Sequence, residues 1–173
     1  MDLRIEKTRK SIINAFIELR SRKELEKITV KALCERAQIN KSTFYTHYHD
    51  IYDLSEQLEN ELVTSLISDL NHPENVIKDP VAFNRELFEG CLSKNSLINI
   101  LFSGTRNGLM IEKIEEALKD LLFTTYPQLK NDVKTNIKLT YSIYGGYYAF
   151  FKNRNYGDEV VMNAVGELLS KLM

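Results

Sequence analysis

The chain has 173 residues, 43% of them hydrophobic and 27% charged, which is the balance of an ordinary globular protein. Its 7 Gly and 3 Pro disfavour long loops and β-rich architectures, and its length suits one domain or a small domain attached to a larger body. No apolar run approaches the roughly 20 residues that span a bilayer, and the N-terminus lacks a signal-peptide core. We therefore expect a cytoplasmic protein with no membrane partner.

The net charge of −1 is unevenly distributed along the chain. Residues 1–50 contain 11 Lys+Arg and 7 Asp+Glu, whereas the remainder contains 12 and 17. A basic N-terminal segment followed by an acidic remainder is typical of a protein that docks one end on phosphates. Because a difference of a few charges also arises by chance, it supports nucleic-acid binding only together with a motif.

The first predicted helix spans about Ile5 to Ser21. It carries an apolar stripe at helical spacing, formed by Ile5, Ile12, Ile13, Phe16 and Leu19. A basic cluster lies at its start and consists of Arg4, Lys7, Arg9 and Lys10. These side chains are either solubilising or available to the phosphates of a nucleic acid.

Two short helices separated by a sharp turn are predicted next, within residues 29–48. Thr29 and Asn40 are N-cap residues, because their side-chain oxygens can accept hydrogen bonds from unpaired N–H groups of a first helical turn. Only Gln38 and Ile39 remain to turn the chain, so the helices must cross steeply.

The second of these helices, expected over Lys41 to His47, directs a cationic, hydroxyl-rich surface without carboxylates outward. Such a surface suits the major groove of DNA, where it meets phosphates and base edges. The alternative is a helical hairpin with an ordinary polar face.

In this stretch the chain resembles the tetracycline-repressor (TetR) family of transcriptional regulators. The resemblance covers residues 6–60 and rests on Thr29, Val30, Leu33, Cys34, Ala37, Ile39, Thr43, Phe44, Tyr45, His47, Tyr48 and Leu54. Two positions depart from it. Gln38 stands where the family usually has Gly and predicts backbone strain, because other residues disfavour positive φ. Ile51 stands where the family usually has Lys, which removes a phosphate contact that His49 or Lys41 can replace.

The predicted DNA-binding residues are Thr29, Lys31, Lys41, Ser42, Thr43, Tyr45, Thr46 and His47. Lys41 and the hydroxyl groups of the second helix are expected at the groove floor, with Lys41 contacting guanine. Tyr45 and His47 match phosphate-contacting positions of the family. Thr29 and Lys31 lie at a helix N-terminus, which favours anions. For each of them, simple solvent exposure is the alternative.

The expected domains are a helix-turn-helix DNA-binding domain (residues 1–50), a linker helix (51–70) and a helical dimerisation and effector-binding domain (71–173). Asp50 is expected to cap the linker helix, and Pro73 to help end it. Residues 72–80 are predicted to form a loop. The whole chain is predicted to be all-α, with about nine helices.

The last two predicted helices contain an aromatic segment, Tyr141 to Phe151, with two adjacent glycines. Glycine within a helix costs about 1 kcal/mol relative to alanine, so close packing is expected there. With the final helix, which extends to Leu172, this segment predicts a homodimer interface across a two-fold axis. The alternative is a core whose tyrosines line a ligand cavity.

The resemblance implies a small-molecule effector, although some members of that family act with protein partners. Candidate lining residues are Phe83, Phe88, Phe102, Met110, Phe123 and Tyr141. We expect no cofactor, no metal and no catalytic residues, because the chain lacks a Gly-rich phosphate loop, a nucleophile elbow and a His-Glu-x-x-His motif. Cys34 and Cys91 are expected in the core.

The sequence thus predicts a dimeric transcriptional repressor that binds a palindromic operator and is released by an effector. The alternative is an interaction protein that keeps the helix-turn-helix but acts through a protein partner bound by its C-terminal body.

Overall fold

The computed structural model describes residues 3–72 and 74–172 and contains only helices, turns and irregular segments there, with no strand. The predicted all-α class is confirmed. The described residues form ten α-helices: α1 (Leu3–Arg20), α2 (Val30–Ala37), α3 (Lys41–Tyr45), α4 (Ile51–Ser68), α5 (Asn75–Lys78), α6 (Pro80–Ser93), α7 (Asn95–Leu101), α8 (Leu109–Thr125), α9 (Val133–Asn153) and α10 (Asp158–Leu172).

Two local predictions require correction. The predicted loop at 72–80 contains the single helical turn α5, which is anchored by the buried side chain of Val76. Helix α3 ends at Tyr45 and not at His47, because the next residues form a hydrogen-bonded turn. The proposed helix stop at Pro73 and the side chain of Leu172 lie outside what the structure describes.

The chain divides into two compact units. The first comprises the residues up to Glu61 together with Ser96–Asn107, and the second comprises Leu62–Asn95 and the residues from Gly108 onward. The boundary therefore lies within α4. The segment Ser96–Asn107, which the sequence-based division gave to the C-terminal domain, belongs to the first unit.

Each of the first four helices contributes a fully buried apolar side chain to the core of the first unit. Ile12 and Phe16 of α1, Leu33 of α2, Phe44 of α3 and Leu54 of α4 are all 0% exposed. Burying a side chain of this kind stabilises a protein by roughly 1.5–3 kcal/mol. The apolar face of each short helix is therefore what holds it in place, since a helix of five or eight residues is not stable alone.

Polar contacts attach Ser96–Asn107 to the rest of the first unit. The Arg20 guanidinium donates to the carbonyl oxygen of Ser103 at 2.9 Å, and Thr105 Oγ1 donates to Glu26 at 2.7 Å. Arg106 forms an ion pair through two nitrogens with Glu59, whose side chain is fully buried. Such a pair is costly to break, because one charge would remain buried without its partner.

The second unit packs α6, α9 and α10 around a stacked aromatic pair. The rings of Phe88 and Phe150 lie 4.3 Å apart and nearly parallel. Gly146 allows α9 to approach α6 closely, since a Cβ there would lie 2.7 Å from Asn84 Oδ1. The predicted close packing at the paired glycines therefore holds for Gly146, whereas Gly145 meets only Tyr141, at 4.0 Å.

Candidate nucleic-acid interface

The cap at the start of α2 forms as the sequence predicts. Thr29 has extended backbone angles, and its Oγ1 accepts a hydrogen bond from the Ala32 N–H at 3.2 Å. Lys31 is exposed, with its Nζ 4.0 Å from Glu35 Oε1. A surface pair at this distance contributes little to stability, so Lys31 can exchange Glu35 for a phosphate.

The turn between α2 and α3 contains the strained residue that the sequence predicts. Gln38 adopts the left-handed conformation (φ 56°, ψ 44°), and it is the one non-glycine residue with positive φ in the described part of the chain. The Ile39 N–H donates to the carbonyl oxygen of Cys34 at 3.0 Å. This six-residue closure is that of a Schellman motif, which normally uses glycine at the left-handed position.

Asn40 organises the first turn of α3. Its Oδ1 accepts from the Thr43 N–H at 2.7 Å and also from two hydroxyls, those of Ser42 at 2.7 Å and Thr43 at 2.8 Å. Sequence reasoning identified Asn40 as a cap but missed its control of these hydroxyls. The sequence signal for these hydrogen bonds was an Asn N-cap followed, two and three residues later, by the hydroxyl-bearing Ser42 and Thr43.

Six of the eight predicted DNA-binding residues are exposed, namely Thr29, Lys31, Lys41, Ser42, Tyr45 and Thr46. Thr43 and His47 are half-buried, so they are less accessible than the other six. Tyr45 is 56% exposed and rests edge-on against the buried ring of Phe44, with centroids 5.4 Å apart. A tyrosine supported in this way can present its hydroxyl to a ligand at low entropic cost.

The cations near α3 differ in their availability. Arg36 is held by both carboxylate oxygens of Glu18, and Arg9 pairs with Glu61. Lys41 is exposed and forms no ion pair with any residue that the structure describes. Lys41 is therefore the cation on α3 that can approach an anion without first breaking a salt bridge.

The charge of the whole first unit is nearly balanced. It contains 12 Lys+Arg and 11 Asp+Glu, because the start of α4 adds acidic residues to the basic first 50. One of these, Glu59, is buried and paired, so it adds no charge to the surface. The basic character therefore belongs to the N-terminal segment and not to the entire unit.

Two aspartates cap the start of α4 in an arrangement similar to a capping box. The Asp53 N–H donates to Asp50 Oδ1 at 2.8 Å, and the His49 N–H donates to Asp53 Oδ2 at 2.7 Å. The hydrogen bond from His49, followed by one from Gln57, holds the pKa of Asp53 below its ordinary value. Ile51, which stands where the resembling family usually has Lys, is 5% exposed and packs in the core.

Comparison with protein families, with curated proteins and with solved structures finds no match.

A second surface of interest lies along α9 and α10. Apolar side chains of these helices are largely exposed here, including Val133 at 70%, Ile137 at 64%, Tyr141 at 61% and Leu168 at 61%. A groove of about 350 Å³ runs between the two helices. It is lined by Tyr141, Gly145, Gly146, Ala149, Val165, Leu168, Leu169 and Lys171.

The suggested pocket residues differ in their placement. Phe83, Phe88 and Met110 are each 1% exposed in the closed core of the second unit, whereas Phe102 belongs to the first unit. Tyr141 instead lines the surface groove.

Neither cysteine is in an environment that favours reactivity. Cys34 and Cys91 are buried free thiols, and burial raises the pKa of Cys91 to about 12. Within residues 3–72 and 74–172, no three His, Cys, Asp or Glu side chains cluster as a metal site requires. Among the described helices, none is sufficiently long and apolar to cross a bilayer.

Proposed function

We propose that this protein is a sequence-specific DNA-binding transcriptional regulator of the TetR type. The observation that carries the proposal is the α2–turn–α3 arrangement, in which two capped short helices are joined at Gln38 and the second, α3, carries Lys41 and exposed hydroxyl groups but no carboxylate. The major groove of B-DNA is about 12 Å wide and admits one α-helix. Helix α3 is the element that would enter it.

The exposed residues divide into two roles. Lys41 and Ser42 lie at the start of α3, where a recognition helix contacts base edges, and Lys41 would donate to guanine. Thr46, in the turn that follows, would extend these contacts. Tyr45, with Thr29 and Lys31 at the start of α2, would contact phosphates and fix the position of the helix in the groove.

We further propose that a second copy of the chain covers the apolar surface of α9 and α10. An exposed apolar stripe on a helix, close to Gly145, which has no side chain, favours close contact with another helix. Two-fold symmetry would place two α3 helices about one DNA turn apart, so the operator would be a near-palindrome. An effector would release DNA by binding more tightly to a dimer in which the two helices are wrongly spaced.

The same surface supports the alternative function. A different protein could bind α9 and α10, and the helix-turn-helix would then be only a scaffold. The two functions differ in what happens when the surface of α3 is altered while the fold is retained.

The deciding experiment is selection of bound sequences from randomised duplex DNA at two salt concentrations. We expect a near-palindromic site whose affinity falls steeply with salt, because phosphate contacts release counterions. Lys41→Ala and Tyr45→Ala should each weaken binding about tenfold, in the range of a lost base or phosphate contact. Lys130→Ala, an exposed lysine of the second unit, is the matched control. Salt-independent binding, or equal effects of all three variants, would contradict the proposal.

The dimer has its own test. Sedimentation of the native chain should give twice the monomer mass, and Tyr141→Glu should give monomers with unchanged helix content. Such monomers should also bind the palindrome far more weakly than the native chain, because two half-sites would no longer be contacted together. A monomeric native chain would refute the proposed dimer.

A further inference from the structure

The hydroxyl groups of α3 are not free to rotate. Ser42 Oγ and Thr43 Oγ1 lie 2.7 Å and 2.8 Å from the same acceptor, Asn40 Oδ1. In the following turn, Thr46 Oγ1 lies 2.7 Å from the carbonyl oxygen of Thr43. All three hydroxyls are thus bonded within the protein before any ligand arrives.

The direction of these hydrogen bonds is fixed by chemistry. The Thr43 backbone N–H can only donate, so the Asn40 atom 2.7 Å from it must be the amide oxygen and not the nitrogen. An amide oxygen and a backbone carbonyl can only accept, so a hydroxyl in these contacts donates its hydrogen inward. Ser42 and Thr43 share Asn40 Oδ1, which has two lone pairs and also accepts from the Thr43 N–H. Each hydroxyl oxygen therefore presents only its lone pairs to the solvent, and these can accept hydrogen bonds but not donate them.

We infer that Ser42 and Thr46 act on DNA as hydrogen-bond acceptors, and that they select amino-bearing bases. In the major groove, adenine N6 and cytosine N4 are donors, whereas guanine O6 and N7 and thymine O4 are acceptors. Because the half-buried Thr43 is less accessible, the preference falls mainly on base pairs that face Ser42 and Thr46. This inference rests on the proposed DNA-binding function and names the bases that the site prefers.

Hydroxyls that are already hydrogen-bonded within the protein should prefer amino-bearing bases more strongly than freely rotating hydroxyls would. A freely rotating hydroxyl can turn to donate or accept and so tolerates any base. To donate to guanine or thymine here, Ser42 would have to give up its bond to Asn40, and that loss would offset the new contact. Lys41 is a pure donor and complements these acceptors by favouring guanine.

The test uses the full-length chain and its Ser42→Ala variant in parallel selections from randomised duplex DNA. The base pair whose preference disappears in Ser42→Ala is the one that Ser42 contacts. We expect adenine or cytosine there in the native selection, and affinity about three- to tenfold lower for the variant, as for one lost hydrogen bond. Replacing that adenine by purine, or that cytosine by 2-pyrimidinone, removes the amino group and should weaken the native chain equally but leave Ser42→Ala unaffected.

Variants at Asn40 test whether its side-chain oxygen fixes the direction of these hydroxyls. Asn40→Gly costs the helix start only a few tenths of a kcal/mol and frees the hydroxyls, so guanine or thymine should become acceptable. Asn40→Asp keeps the acceptor oxygen and should keep the amino preference, with weaker binding overall. Circular dichroism must show native helix content for each variant.

The failures of the two proposals are distinguishable. Guanine or thymine at the Ser42 position, an unchanged site in Ser42→Ala, or an unrelaxed preference in Asn40→Gly would overturn the inference while DNA binding stands. If the native chain selects no sequence, the proposed function fails and this inference fails with it.

Discussion

Replacing Gln38 by glycine should stabilise the first unit, because this residue occupies the left-handed region with a side chain. At φ 56° and ψ 44° its Cβ crowds the following carbonyl oxygen, at a cost of roughly 1–2 kcal/mol for an L-residue. Glycine removes that cost but gives the unfolded chain more freedom, which takes back about 0.4–1 kcal/mol. The Gln38 side chain is exposed, so little else is lost.

The expected net gain for Gln38→Gly is therefore about 0.5–1 kcal/mol in the free energy of unfolding. For a chain of this size, that gain raises Tm by about 2 °C. Urea unfolding monitored by circular dichroism measures the first quantity, and thermal unfolding measures the second.

Gln38→Ala is the matched control, because it removes the same side-chain atoms beyond Cβ and keeps the left-handed strain. It should unfold within about 0.5 kcal/mol of the native chain. If Gln38→Gly is no more stable than Gln38→Ala, the backbone at this position is not strained and the argument is refuted.

Three further predictions concern burial, close packing and acid stability. Arg106→Met should lower the free energy of unfolding by about 3 kcal/mol, because Glu59 stays buried without its cation; adding Glu59→Leu should recover most of the loss in urea unfolding. Gly146→Ala should destabilise by about 1–3 kcal/mol through a clash with Asn84 at 2.7 Å. Gly145→Ala should not, because a Cβ there would lie 4.0 Å from Tyr141, which is an ordinary contact, and a comparison of the two urea midpoints checks this. The Asp53 carboxyl has a folded pKa below its unfolded one, so its stabilisation is complete above about pH 4 and is lost as pH falls through the folded value. Asp53→Asn should flatten that part of the pH–stability profile, and a profile as steep as the native one would exclude this role.

The local parts of the candidate site could be predicted because they depend on neighbours in sequence. A cap such as Thr29 or Asn40 needs only a side-chain oxygen and the N–H groups two or three residues later. The left-handed Gln38 follows from the two residues available for the turn. The inward direction of the Ser42 hydroxyl was not predicted, since it depends on distances within a turn that residue types alone do not give.

The apolar stripes of α9 show what the pattern leaves open. Periodicity predicts that Ile137 and Phe150 each lie on an apolar side of a helix, but it does not show which side packs against another part of the protein. The structure buries Phe150 completely against Phe88 and leaves Ile137 64% exposed. Core and interface side chains have the same chemistry, so only tertiary packing separates them.

The sequence by itself determined the helical class, the positions of the capped helices and the acid-free surface of α3, because each follows from periodicity or from contacts a few residues apart. Only the tertiary structure decided that Ser96–Asn107 belongs to the first unit. Within that unit Arg20 contacts Ser103 and Arg106 contacts Glu59, and no local rule links residues so far apart in the chain.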